Sequence, residues 1–168
     1  MNAERKKSPI GVLFLTVFVD LVGSTTIAAD RSPTEVVELL NGFFDVVVDE
    51  IAREGGLVNK FMGDAVLAIF GAPVDLPDHA TRGLRAARAM VERLGREHPD
   101  LDCGVGVFTG ETVAGNVGTR ARFEYTVIGD AVNAAARLTE LSRRLRLSNA
   151  ERDRLVAFAQ AEPVTAEE

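Results

Sequence analysis

Eight consecutive residues, Val12-Leu13-Phe14-Leu15-Thr16-Val17-Phe18-Val19, carry one hydroxyl and no charge. A strand with one wet face alternates apolar and polar side chains. This run is apolar at both parities, so it reads as a central strand covered on two sides. A chain of 168 residues has length for one domain of ordinary size, and the rest of it must be arranged to cover that strand.

Arg5, Lys6 and Lys7 stand before the run and imitate the start of a secretory signal. The uncharged stretch from Ser8 up to Asp20 is far short of the roughly 20 apolar residues of a membrane span. Gly23-Ser24-Thr25-Thr26 follows with no small-x-small cleavage pattern directly after the run. The reading is a buried strand behind a flexible basic tail (1–10), with no membrane span and a cytoplasmic location. A single cysteine, Cys103, forms no internal disulfide or thiolate metal site, which suits a reducing compartment. With 19 Lys+Arg against 25 Asp+Glu, the net charge of −6 offers no global field for a nucleic-acid backbone, so nucleic acid is not expected as a partner.

Further along, Gly23 to Asp30 reads as a short helix and its exit. Ser32-Pro33-Thr34-Glu35 is a helix start, with a Ser cap, Pro in the first turn and Glu three residues on. The helix that follows carries Val36, Leu40, Phe43, Phe44, Val47 and Ile51 on one stripe and stops at Gly55-Gly56. Leu57–Met62 and Ala65–Phe70 flank Gly63-Asp64, the pattern of a tight hairpin. Asp78 is placed to cap a third helix, and Leu101 to Thr109 reads as a strand. A glycine-rich connection (Gly110, Gly115, Gly118) then leads to a strand over Arg122 to Ile128 and a last helix to about Arg144. The order β-α-α-β-β-α-β-β-α predicts an α+β sandwich of one sheet and one helical layer.

Several polar residues stand out against this frame. Asp20 ends the first strand, just before Gly-Ser-Thr and a helix, a place suited to a metal and a phosphate, although taken alone a local role, satisfying nearby N–H groups, explains it better. Asp64 sits at the hairpin tip. If the hairpin pairs beside the first strand, the two carboxylates meet, repel each other and call for a cation such as Mg²⁺. Lys60 is the only lysine beyond the tail of an arginine-rich chain, on a largely apolar strand, where a compact donor can serve a nucleobase ring nitrogen or simply snorkel. Asn133 and Arg137 share a helix face at i, i+4, among alanines that let another surface approach.

Four segments then fall into a pattern: Phe18-Val19-Asp20-Leu21-Val22-Gly23-Ser24-Thr25; Lys60-Phe61-Met62-Gly63-Asp64; Gly115-Asn116-Val117-Gly118; and Tyr125-Thr126-Val127-Ile128-Gly129-Asp130-Ala131-Val132-Asn133-Ala134-Ala135-Ala136-Arg137-Leu138. Together, in this order and spacing, they closely resemble the catalytic domain of the bacterial-type class III nucleotidyl cyclases, from about Gly11 to Leu141. The resemblance implies a ferredoxin-like (palm-type) sandwich, one largely antiparallel sheet covered by helices, with a catalytic domain over 11–144 and a short helix and acidic tail over 145–168. It implies an adenylate cyclase that makes cyclic AMP and pyrophosphate from ATP. Asp20 and Asp64 match the family's metal-binding aspartates for two divalent cations, Mg²⁺ or Mn²⁺, with the backbone of Leu21. The turn Leu21, Val22, Gly23, Ser24 and Thr25 matches the segment that supports metal and phosphates. Lys60 and Thr126 match the base-selecting pair, and Asn133 and Arg137 the transition-state pair. Family sites form across a head-to-tail homodimer.

Two departures accompany the match. The family often has Asp where Thr126 stands, with Thr or Ser variants in part of it. Past the last helix there is no clear counterpart of the family strands that supply a lysine or arginine to the triphosphate. Arg137, Arg143, Arg144, Arg146, Arg152 and Arg154 offer replacements, or a solvated face. A nucleotide-binding module with little or no turnover is the alternative function. A diguanylate cyclase ranks lower, since Ala65-Val66 follows Gly63-Asp64 where its signature needs two further residues.

Overall fold

The computed structural model describes residues 10–119 and 121–145. Residues 1–9 of the expected basic tail (1–10) and residues 146–168 of the expected C-terminal helix and acidic tail (145–168) lie outside the described residues, whereas Ile10 belongs to the first strand and Leu145 to the last helix. The first strand, β1 (Ile10–Leu21), is followed by α1 (Ser24–Ala29), α2 (Pro33–Arg53), β2 (Leu57–Met62) and β3 (Ala65–Phe70). After these come α3 (His79–Glu97), β4 (Cys103–Gly118), β5 (Phe123–Ile128) and α4 (Asp130–Leu145). One antiparallel sheet of order β2-β3-β1-β4-β5 runs through the domain, and the apolar run of β1 occupies its centre.

Local signals act as their chemistry dictates. The Ser32 backbone N–H donates to Glu35 Oε2 at 2.7 Å and the Glu35 N–H donates to Ser32 Oγ at 3.3 Å, a closed capping box with Pro33 in the first turn. Asp78 does stand at the N-cap of α3, but its carboxylate accepts from Arg82 Nε at 2.9 Å and makes no cap hydrogen bond, because an arginine one turn on is the stronger donor. On β1, Leu15, Val17, Val19 and Leu21 face α2 and α3, where Phe43, Val47, Ile51 and Met90 complete the main core.

Two features differ from the sequence reading. The supposed connection at Gly110 and Gly115 is strand: β4 pairs with β1 from Leu21↔Cys103 to Ile10↔Ala114 and with β5 from Val113↔Ile128 to Gly118↔Phe123. Nor is there a single helical layer. Helix α4 covers the opposite face of the sheet, the one bearing Phe14 and Phe18. One cause explains both. A Cβ at Gly106 would lie 2.0 Å from the Ala135 carbonyl oxygen and one at Gly110 would lie 3.0 Å from the Ala131 methyl. Gly106 and Gly110 allow the close approach of the helix, with Ala131 and Ala135 on its buried side. Gly106→Ala is therefore expected to cost about 2–3 kcal/mol, read as a lower urea midpoint; an unchanged midpoint would contradict this packing.

Candidate active site

Strand pairing brings the two aspartates together. Asp20 is opposite Ala65, the residue next to Asp64, so both carboxylates stand at the same end of two neighbouring strands. Gly63, in the two-residue turn, takes φ +66°, a conformation that glycine adopts at no steric cost. Burial, then the charge of Asp64, push the Asp20 carboxyl above its ordinary value, against the lowering effect of Arg143. The Arg143 guanidinium on α4 donates to Asp20 Oδ2 and forms an ion pair with it. Leu21 is fully buried beside Asp20, and the turn continues as Val22, whose N–H donates to the Asp102 carbonyl at 2.8 Å, and Gly23 at φ +71° before Ser24 and Thr25 open α1.

Among the described residues no group of three or more His, Cys, Asp or Glu side chains converges for a metal. Two adjacent carboxylates, one of them half-desolvated, nevertheless form a donor set that fits a hard divalent cation completing its shell with phosphate oxygens and water.

Lys60 lies elsewhere on the same sheet. Its Nζ is 2.7 Å from Glu124 Oε1, and the neighbouring Asn59 donates through Nδ2 to the Tyr125 carbonyl at 2.9 Å. Asn59 is the residue skipped where the β2–β3 register shifts, which frees its side chain for this bond. Thr126 follows on β5 opposite Gly115, two residues from Glu124 and so on the same face of the strand. Strands β2 and β5 are the two outer strands of the sheet, yet they touch. The β4–β5 arm curls over the second face, where Val127 and Ala114 pack with Phe14, Leu67 and Ile69, and Tyr125 lies against them. Sequence reasoning missed Asn59 and Glu124, because the contact depends on that curl.

Asn133 and Arg137 are both exposed on α4 and line an open hollow of about 440 Å³ with Phe108, Asp130, Ala134 and Leu138. Arg143 marks where α4 passes Asp20. At 1.5 Å per residue, Arg137 lies about 9 Å and Asn133 about 15 Å back along the helix axis from it. Within one chain, then, the structure joins Asp20 to Asp64 and the Lys60 strand to the Thr126 strand. It keeps the Asn133–Arg137 pair apart from the carboxylates. Several large apolar side chains are exposed: Leu138 and Leu141 on α4, and Val113, Val117, Phe123 and Ile128 on β4 and β5.

Comparison with known proteins agrees with this architecture. Residues 4–156 match the family profile described as the adenylate and guanylate cyclase catalytic domain. The chain belongs to that family, the class III nucleotidyl cyclases. An uncharacterized protein of Mycobacterium tuberculosis is 50% identical over 169 residues, covering 99% of this chain and 30% of its own length. The chain therefore spans about a third of that curated relative. Among solved structures, a bacterial light-regulated adenylyl cyclase superposes with a TM-score of 0.75 at 30% identity, over 82% of this chain and 42% of that one. The adenylyl cyclase CyaB from P. aeruginosa gives 0.75 at 26% identity, over 80% of this chain and 74% of its own. A guanylyl cyclase gives 0.74 at 33% identity, over 79% and 72%. Among the described residues no helix is long and apolar enough to cross a membrane.

Proposed function

We propose that the chain is the catalytic domain, over 11–144, of a cytoplasmic adenylate cyclase that converts ATP to 3′,5′-cyclic AMP and pyrophosphate. The observation that carries this reading is the pairing of Asp20 with Asp64 at adjoining strand ends, in a family member that also retains Lys60, Asn133 and Arg137. In the reaction the ribose 3′-oxygen attacks the α-phosphorus in line as the bond to pyrophosphate breaks. Asp20 and Asp64, with the Leu21 carbonyl, would hold two divalent cations, Mg²⁺ or Mn²⁺, which lower the proton affinity of the 3′-hydroxyl and offset charge on the leaving group. The turn from Leu21 to Thr25 lies beside them to take the phosphates. Arg137 faces the negative charge that builds on the phosphorus centre, and Asn133 holds the ribose in its attack geometry.

The separation of Asn133 and Arg137 from the carboxylates along α4 supports a site shared between two chains. In a head-to-tail homodimer the aspartates of one protomer face Lys60, Thr126, Asn133 and Arg137 of its partner, and the apolar patches on α4 and the β4–β5 arm supply the contact. For the base, Lys60 Nζ donates to adenine N1, where guanine carries a hydrogen, and the Thr126 hydroxyl accepts from the N6 amine. Lys60→Glu is expected to lower the rate with ATP by about 10- to 100-fold and to raise the GTP-to-ATP rate ratio. Rates with each nucleotide, measured on both proteins, test the substrate assignment; an unaltered ratio would remove Lys60 from base recognition.

A second reading, a nucleotide-binding module without turnover, has one observation in its favour. Asp20 and Lys60 are each already ion-paired within the chain, to Arg143 and Glu124. The retained Asp64, Asn133 and Arg137 favour the enzyme.

A further inference from the structure

Arg143 reaches Asp20 by a route built into the sheet. Gly104 is directly opposite Asp20 in the β1–β4 register, and a Cβ there would lie 2.4 Å from Arg143 Cγ. The missing side chain is the channel through which the arginine stem passes. One turn earlier on α4, the Thr139 hydroxyl lies 3.1 Å from the Phe18 carbonyl oxygen, two residues before Asp20, and 2.9 Å from the Ala135 carbonyl oxygen, which fixes the height of the helix over the strand. The next residue shows the contrast: Arg144 pairs with Glu140 at 2.7 Å on the exposed side of the same helix. Of these two arginines, only Arg143 is directed at the carboxylates.

We propose that Arg143 is a resident counter-ion of Asp20 that a divalent cation must displace, so that guanidinium and metal compete for one carboxylate and Arg143 sets the metal concentration at which the site fills. The inference rests on the reading of Asp20 and Asp64 as metal ligands given above. A guanidinium hydrogen-bonded to Oδ2 puts a full positive charge within a few ångströms of any cation on that oxygen, and in a partly desolvated pocket the two repel strongly. Arginine stays protonated throughout the working pH range, so raising the pH does not relieve the competition. Displacement does, and it releases a flexible cationic side chain beside the place where phosphates bind. This assigns Arg143 a positioning role, where the sequence did not distinguish it from Arg144, Arg146, Arg152 and Arg154.

The test is Mn²⁺ binding to the full chain without nucleotide, read as loss of the free Mn²⁺ signal in electron paramagnetic resonance, for the parent, Arg143→Gln, Arg143→Lys and Asp20→Ala. Arg143→Gln is expected to bind Mn²⁺ about tenfold more tightly than the parent, Arg143→Lys to stay near the parent, and Asp20→Ala to lose the site. Circular dichroism establishes that each variant is folded, and Arg143→Ala gives the same reading if the glutamine variant is not. Equal or weaker binding in Arg143→Gln, still abolished by Asp20→Ala, would overturn the competition and leave the metal site standing. Absence of Mn²⁺ binding in all of them, with or without a non-hydrolysable ATP analogue, would overturn the metal assignment and the competition together.

Discussion

Asp64→Ala is expected to reduce cyclic nucleotide formation by about 10²- to 10³-fold while leaving the fold intact. The size of the effect follows from how few protein ligands the site has. Asp20 and Asp64 are the two carboxylates proposed as metal ligands, so removing one would leave the cations with half of their anionic protein ligands. Loss of fold is not an alternative explanation: Asp64 occupies a hairpin turn, and its charge disfavours the ionised form of Asp20. Its removal therefore relieves a repulsion, and the melting temperature should hold or rise slightly. Activity within threefold of the parent at unchanged stability would show that this aspartate holds no metal needed for turnover.

A mixture of two dead proteins provides the second large effect. Asp20→Ala and Arg137→Ala are each expected to be inactive alone, since one lacks the metal half of the site and the other the phosphorus-facing half. Mixed in equal parts and allowed to exchange, half of the dimers pair one of each. Each such dimer contains one intact site of two, so the recovered rate approaches about a quarter of the parent's. The physical basis is the offset of Arg137 from the Arg143–Asp20 contact, about 9 Å along α4 by the helical rise. No recovery, with exchange demonstrated by a tag on one protein, would mean that each chain carries a complete site and that α4 moves far from its present position.

The parts of this picture legible in the sequence are those that local chemistry decides. The capping box at Ser32 and Glu35, the Gly63-Asp64 hairpin and the two-sided apolar run of β1 depend on neighbours within a few residues. Once the hairpin lies beside β1, the meeting of Asp20 and Asp64 follows from the period of two in a strand. What escaped the sequence depends on distant segments. Gly110 looks like part of a loop until α4 is seen pressed against it, because a glycine kept for a close approach has the same letter as one kept for a turn. The Lys60–Glu124 pair joins the two outer strands of the sheet, which no spacing rule would place together. Arg143 could not be told from Arg144 by composition; Gly104, 39 residues earlier, makes the difference.

Whether this site closes a nucleotide into a cyclic product is decided by incubating the purified chain with ATP and Mg²⁺ or Mn²⁺ and identifying what forms. The expected result is 3′,5′-cyclic AMP and pyrophosphate in equal amounts, formed faster than the corresponding product from GTP. ATP that binds to a folded, dimeric sample and is recovered unchanged would contradict cyclase activity and establish a nucleotide-binding module instead.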